Sequence, residues 1–240
     1  AAVELAAKQL KTTPKEVRWG DAGTALHTDG SKSSGSITFA QLCKKIDGEA
    51  KVPAFLEDHA SLLAAWIDLY EASGDGMRLE QAEEIARAMV REFRDDAWGG
   101  FYDTGPRHGD LIVRTRHAED NSTPSGNALA AWGLLRLSRI TGDPAIGEAA
   151  ARVLRALTPA MTAIPTATCQ ALLALDLLIT PPQEIAIAGP PDAEETRVLR
   201  RVVDRFFLPH AVLLHANGRE PDGVSGLRDK RTVDGSPAAY

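Results

Sequence analysis

The chain has only two cysteines, Cys43 and Cys169, and no CxxC pair. That removes a disulfide framework, a structural zinc site and a dithiol redox motif. The expectation is two buried thiols in a reducing, cytoplasmic compartment. No apolar run approaches the roughly 18 residues of a membrane span. The opening "AAVELAAKQLKTTPKEV" places lysines and glutamates where a signal peptide needs an apolar centre. An excess of positive charge is also missing: 27 Lys and Arg stand against 33 Asp and Glu, a formal charge of −6, which argues against nucleic acid as a partner. The six histidines form no HExxH or HxH spacing, and GxSxG and Walker-type loops are absent, so no metal or cofactor is expected. Position 1 is Ala1 and not Met, as in a processed chain or a fragment.

What remains is an ordinary globular composition, 44% hydrophobic and 25% charged. Residues 1–46 differ in texture from the rest. "AAVELAAKQL" reads as a short helix, residues 31–36 (SKSSGS) as a polar link, and "SITFAQLCKKI" as a strand start passing into a short helix. Residues 47–182 read as helix after helix. Leu62, Leu63, Trp66, Leu69 and Tyr70 mark one helical face, closed by Gly74. The next helix is two-sided, with Ala82, Ile85, Ala86, Met89, Val90 and Phe93 opposite a charged face on which Glu83 and Arg87 are spaced to pair. "GNALAAWGLLRLSRITG" is apolar nearly all round, the helix after Asp143-Pro144 is two-sided, and "TATCQALLALDLLIT" is again apolar nearly all round.

Enclosed helices thus alternate with one-sided ones. A weak repeat accompanies them: "LLAAWIDLYEASGD" resembles "ALAAWGLLRLSRITGD", matching Trp66 to Trp132 and Gly74-Asp75 to Gly142-Asp143, with two extra residues between Trp and Gly in the second copy. Repeated helical hairpins with an inner and an outer helix predict a toroid or solenoid. Residues 183–240 break the rule. "QEIAIAG", a helix with Asp192 and Glu195 as capping box and Leu199, Val202, Val203 and Phe206 on one face, and "HAVLLHA" predict a β-α-β unit with parallel strands. After Gly218 the chain is turn-rich. The fold class expected is mainly α, a partial (α/α) toroid of helical hairpins with a small C-terminal β-α-β unit.

Three stretches are candidates for chemistry. Glu57, Asp58 and His59 stand at a helix start. Either they are first-turn acids favoured by the helix dipole, or one carboxylate is a general acid or base with the histidine assisting. In "DDAWGGFYDTG", Trp98, Phe101 and Tyr102 surround Gly99-Gly100, which reads equally as an aromatic-packed hairpin or as a platform on which a sugar face stacks. In residues 110–127, Arg114, Arg116, His117, Glu119, Asp120 and Asn127 are candidates for a polar ligand, with Ser125 read as a helix cap and Asn127 as lining a site.

"DGEAKVPAFLEDHASLLAAWIDLYEASGD", "WGGFYDT", "PSGNALAAWGLLRL", "TGD", "PPQEIAIAG" and "VDGSPAAY" occur in order over residues 47–240. In these motifs the chain resembles the C-terminal part of large thioredoxin-domain-containing proteins related to the spermatogenesis-associated thioredoxin-like protein. The resemblance implies an (α/α) toroid of the six-hairpin glycosidase type, similar to acylglucosamine epimerase barrels. The paired cysteines of that family's redox domain are absent. The five barrel helices read here fall short of the about twelve that close a ring of six hairpins. Residues 1–45 do not fit it; "AAVELAAKQLKTTPKEVRWGDAG" with "SITFAQLC" is faintly similar to molybdenum hydroxylase large subunits, without a complete cofactor motif.

Three functions follow as expectations. One is a carbohydrate-related barrel, isomerase, epimerase or hydrolase, in which Glu57, Asp58 and His59 move protons, Trp98, Phe101 and Tyr102 stack the sugar, and Arg114 and Asn127 orient it. Another is a non-catalytic scaffold working with a thioredoxin-like partner. The third is an oxidoreductase piece resting on residues 1–45 alone. An open toroid leaves inner helices wet, so the chain alone is expected to be marginally stable or to associate with itself through exposed apolar surface; a sharp monomer transition, unchanged across protein concentrations in calorimetry, contradicts it.

Overall fold

The computed structural model describes residues 43–46, 49–108, 111–216, 224–227 and 229–240. The expected N-terminal helix, the stretch similar to molybdenum hydroxylases and the thiol of Cys43 lie outside what is described. Where "LCKKI" was expected to become helical, β1 (Cys43–Ile46) pairs antiparallel with β2 (Glu49–Pro53).

Five helices follow: α1 (Leu56–Ser73), α2 (Gly76–Phe93), α3 (Gly126–Thr141), α4 (Pro144–Ala163) and α5 (Cys169–Ile179). α1 forms a hairpin with α2, and α3 with α4; α1 packs against α3 and α3 against α5. So α1, α3 and α5 make a row, with α2 and α4 behind the first two. The two-sided patterns behave as the periodicity requires. α2 buries Leu79, Ala82, Ile85, Ala86, Met89 and Phe93 and pairs Glu83 with Arg87 on its wet side. α4 buries Ala150, Val153, Leu154 and Leu157. α3 is enclosed, with Leu134, Leu137 and Ile140 at 0% exposure, each contributing about 1.5–3 kcal/mol by burial.

The α1–α3 seam is close because two glycines admit two leucines. A Cβ at Gly126 would lie 3.2 Å from Leu56 Cδ2, and one at Gly133 would lie 2.9 Å from Leu63 Cδ2. Both pairs recur at seven residues, two helical turns, so they lie along one contact line.

α5 corrects an expectation. Its all-round apolar sequence implied cover on every side, yet Leu172, Leu173, Leu178 and Ile179 are exposed. After α5 the chain turns at Pro181-Pro182 into β3, so among the described residues no outer helix backs it as α2 backs α1 and α4 backs α3. Cys169, at the start of α5, is likewise exposed rather than buried.

The C-terminal unit is β3 (Gln183–Ala188), α6 (Glu194–Val203) and β4 (Ala211–Ala216), with β3 and β4 parallel. The tail adds β5 (Ala238–Ala239), antiparallel to β3, giving the order β4-β3-β5. Two details differ from the sequence reading. α6 is capped at Ala193, without a side-chain cap bond, so Asp192 and Glu195 form no box. Its inward face is Thr196, Leu199 and Val203, leaving Val202 and Phe206 exposed.

The sheet meets the helices at the far end of α1. The β4 backbone N–H groups of Leu213 and His215 lie 3.5 Å from Glu71 Oε1 and Tyr70 Oη, and His215 Nε2 lies 2.9 Å from the Glu71 carbonyl. α1 thereby covers an edge that would otherwise expose unpaired donors. Burial pushes the His215 imidazole below its ordinary pKa, against the bond to Glu71, and burial pushes the Glu71 carboxyl up although Arg136 holds it at 2.8 Å. No helix among the described residues is long and apolar enough to cross a membrane.

The two hairpin turns are built alike, offset by 68 residues. Gly74 (φ 70°) and Gly142 (φ 73°) are left-handed caps whose N–H groups each donate at 2.8 Å to Tyr70 and Ser138 carbonyls, and Asp75 and Asp143 cap the next helices through Met77 and Ala145. Aligned on these turns, Trp66 matches Leu134 and not Trp132. The two extra residues rotate Trp132 by about 200°, and it is half-buried where Trp66 is buried. Gly142→Ala is expected to cost the left-handed penalty, about 1–2 kcal/mol. Gly74→Ala is expected to cost about 1–3 kcal/mol more, because the new Cβ would sit 2.9 Å from the His215 ring; urea denaturation of both variants measures the difference.

Candidate functional site

α1, α3 and α5 run in one direction, and the long connection between α2 and α3, residues 94–125, crosses their N-terminal ends. Its first part is a hairpin. Arg94 bridges Phe101, the Asp95 N–H donates to Gly100 O at 2.9 Å and the Tyr102 N–H to Phe93 O at 2.8 Å. Gly99 has φ 95°, and a Cβ at Gly100 would lie 2.6 Å from the Trp98 ring, so both glycines are required.

Most candidate residues serve to hold this connection in place. Asp95 is 2% exposed; its Oδ1 accepts from Ala97 and Trp98 N–H groups at 3.0 and 3.2 Å, and Oδ2 pairs with Arg116. Burial raises the Asp95 pKa, but the Trp98 and Ala97 donors and the Arg116 guanidinium outweigh it and hold the carboxyl below the usual range. Arg114 donates to the Thr104 and Glu92 carbonyls, rather than reaching toward a ligand. The Tyr102 ring carries Arg114 at 4.0 Å and Arg116 at 4.7 Å, and its hydroxyl bonds Arg116. Two guanidiniums thus occupy the surface that was to stack a sugar. Trp98 lies under Arg116 at 6.0 Å, and Phe101 is 0% exposed in the core.

Asn127, expected to line a site, is also fully buried. Its Oδ1 accepts from Phe101 N–H at 2.8 Å and its Nδ2 donates to Phe101 O at 3.0 Å and His117 O at 3.3 Å. The side-chain amide has given its two donors and its acceptor to backbone, because the first turn of α3 looks back onto the hairpin. Ser125 is the cap, accepting from Ala128 N–H at 3.1 Å. Asp120 ties the connection down, accepting from Ser125 N–H at 2.9 Å and Gln170 N–H at 2.8 Å.

The adjacent trio Glu57, Asp58 and His59 diverges as helical neighbours must. Asp58 Oδ2 accepts from the Phe55 N–H at 2.9 Å. His59 is 2% exposed, bonded through Nδ1 to Phe55 O at 2.9 Å and edge-on to Phe93 of α2 at 4.8 Å. Of the three, Glu57 lines the cleft formed with the connection.

That cleft has a volume of about 370 Å³ and lies between the connection and the starts of α1 and α3. Glu57, Asp103, His117, Glu119, Asn121 and Thr123 supply its polar wall, with Phe55 and Pro124 beside them. Within it His117 Nδ1 lies 2.6 Å from Asp103 Oδ2, and the His117 N–H donates to Asp103 Oδ1 at 3.1 Å. Asp103 is itself fixed, its carbonyl accepting the Leu56 N–H and its N–H reaching Thr115 O, both at 2.9 Å. The sequence reading named His117 but missed Asp103; the "YDT" after the aromatic turn was its only local signal. A second cavity of about 370 Å³, beside Asp68, Glu71, Arg200 and Asp204, is the seam between α1 and the C-terminal unit. Its charges pair with one another and with Arg136, so it offers less free chemistry.

Because its folded pKa is lowered, ionised Asp95 stabilises the fold above its unfolded value of about 3.9, and that contribution is lost as pH falls through the folded value. Asp95→Asn is expected to destabilise by about 1.5–3 kcal/mol at pH 7 and by progressively less below pH 4, read from denaturation curves across that range.

No family model matches the chain. Among curated proteins it is 32% identical to rat spermatogenesis-associated protein 20 over 190 residues, 75% of this chain and 24% of that protein. It is 31% identical to the human protein over 165 residues, 68% and 21% of the two chains. It is 25% identical over 194 residues to uncharacterized protein B0495.5 of Caenorhabditis elegans, 80% and 26%. The chain spans about a quarter of the length of these relatives. It is therefore homologous to a segment of spermatogenesis-associated protein 20.

Proposed function

We propose that the chain is part of an (α/α) barrel whose inner wall includes α1, α3 and α5, and that the cleft at their N-terminal ends binds a polar, hydroxylated small molecule of the sugar class. The observation that carries this is the meeting of Glu57 with the hydrogen-bonded pair Asp103–His117 in one cleft. Carboxylates and an imidazole suit ring hydroxyls as acceptors and donors. An imidazole donating from Nδ1 to a carboxylate keeps Nε2 as the acceptor, the arrangement of a general base. His117 would take a proton and Glu57 would return one, as in an isomerase, epimerase or glycoside hydrolase. The roles first assigned to Asp58, His59, Tyr102, Arg114 and Asn127 become those of the frame around the cleft.

A second reading, a non-catalytic module serving a thioredoxin-like partner, is favoured by one feature: Leu111, Ile112 and Val113 in the same connection are 48%, 101% and 69% exposed, more than a solitary loop tip needs.

Calorimetric titration with a panel of hexoses, N-acetylhexosamines and disaccharides separates the two. Saturable binding is expected to weaken at least about tenfold, roughly 1.4 kcal/mol, in His117→Gln and in Asp103→Asn, with the melting point of His117→Gln unchanged because its side chain is 71% exposed. No response to any sugar, together with binding of purified thioredoxin that is lost in Ile112→Asp, decides for the second reading.

A further inference from the structure

α6 is the one α-helix of the C-terminal unit among the described residues, and half of it has no partner among them. Thr196, Leu199 and Val203 face inward, while Val198 and Val202 are 47% and 48% exposed and Phe206 just beyond them is 65% exposed. At 100° per residue, Val198 and Val202 form one stripe along α6 with Glu195 on the same face, and Arg205 and Phe206 stand in the turn that directly follows Val203. α5 also exposes leucines, but the charged group among them, Asp176, is already held by His210 at 2.6 Å.

Charge is distributed along α6 with a sign change. Glu194 and Glu195 stand in its first turn, Arg200 and Arg201 in its last turn, and Arg205 in the turn just beyond it. Glu194 pairs with Arg201 and Arg197, and Arg200 with Asp204. Glu195 and Arg205, both exposed, make no ion pair among the described residues. Two such helices laid antiparallel about a two-fold axis at residue 200 bring Val198 of one onto Val202 of the other. The same axis sets Glu195 of one level with Arg205 of the other, twice. A face acidic at one end, basic at the other and apolar between is complementary to itself, the condition for an isologous contact.

We propose that the exposed face of α6 is the contact by which two copies of this chain form a dimer, with paired Val198–Val202 contacts at its centre and two Glu195–Arg205 ion pairs at its rim. The helix has ten residues, about 15 Å, so the interface is small and the dimer dissociates readily.

Sedimentation equilibrium of the full chain over a range of concentrations tests it. The wild type is expected to show a reversible monomer–dimer equilibrium that weakens at high salt. Glu195→Arg and Arg205→Glu are each expected to raise the dissociation constant at least about tenfold through two like-charge contacts, and the double reversal is expected to restore it. Val202→Asp is expected to abolish the dimer, with circular dichroism confirming the fold of every variant. A chain that stays monomeric throughout overturns the proposal. So does a dimer that ignores the charge reversals or is lost only in Leu173→Glu on α5.

Discussion

The architecture depends on how closely α1 and α3 approach. Leu56 and Leu63 pack where Gly126 and Gly133 have no side chain, and a methyl group there would meet the leucines at 3.2 and 2.9 Å, closer than side chains ordinarily pack. That approach sets Phe55 and Glu57 beside Ser125 and Gly126 and so creates the cleft at all. It also aligns the far ends, where Arg136 of α3 reaches Asp68 and Glu71 of α1 at 2.7 and 2.8 Å. Polar pairing at one end and leucine–glycine packing along the shaft hold the helices in one register.

The connection between α2 and α3 has no long secondary structure of its own, yet it crosses a buried surface. Its backbone groups need partners, and the side chains that supply them are those a sequence reader takes for chemistry. Asp95 collects two N–H groups and a guanidinium, Arg114 collects carbonyls, Asn127 takes both polar atoms of Phe101, and Asp120 joins Ser125 to Gln170. The cost of leaving such groups unpaired, about 1–3 kcal/mol each, explains why a loop of this length carries so many acids, arginines and amides. Asp103 and His117, which bond to each other, stand at the wall of the cleft that the connection forms once it is held.

The C-terminal unit is attached through a sheet edge. Tyr70 and Glu71 meet donors of β4, and Arg139 reaches the carbonyls of His210 and Thr180 at 2.8 Å. This seam buries Glu71 and His215, and hydrogen bonds cross it from the Leu213 N–H to Glu71 and between His215 Nε2 and the Glu71 carbonyl, so the helical and β-containing parts are joined through polar contacts. α6 lies on the outside of that attachment, with its buried face given to the sheet and its other face left over.

Local pattern was enough for the helices and for the parallel β-α-β order, but not for β1, β2 and β5, whose short strands are set by their pairing partners. Apolar periodicity identified α1 to α5, Gly74 and Gly142 with the aspartates after them marked the turns, and the β-α-β order followed from two short apolar runs. These signals are legible because they depend on residues within one or two turns of each other. The capping role of Ser125 and the pairing of Glu83 with Arg87 were legible for the same reason. The tertiary structure decided what no local window contains. It turned His59 onto Phe93, gave Tyr102 to two arginines, left the outer side of α5 uncovered, and brought Asp103 to His117 across 14 residues and to Leu56 across 47. Sequence specifies which way a residue faces on its own helix; what stands opposite depends on the packing of other helices, and a site is made of what stands opposite.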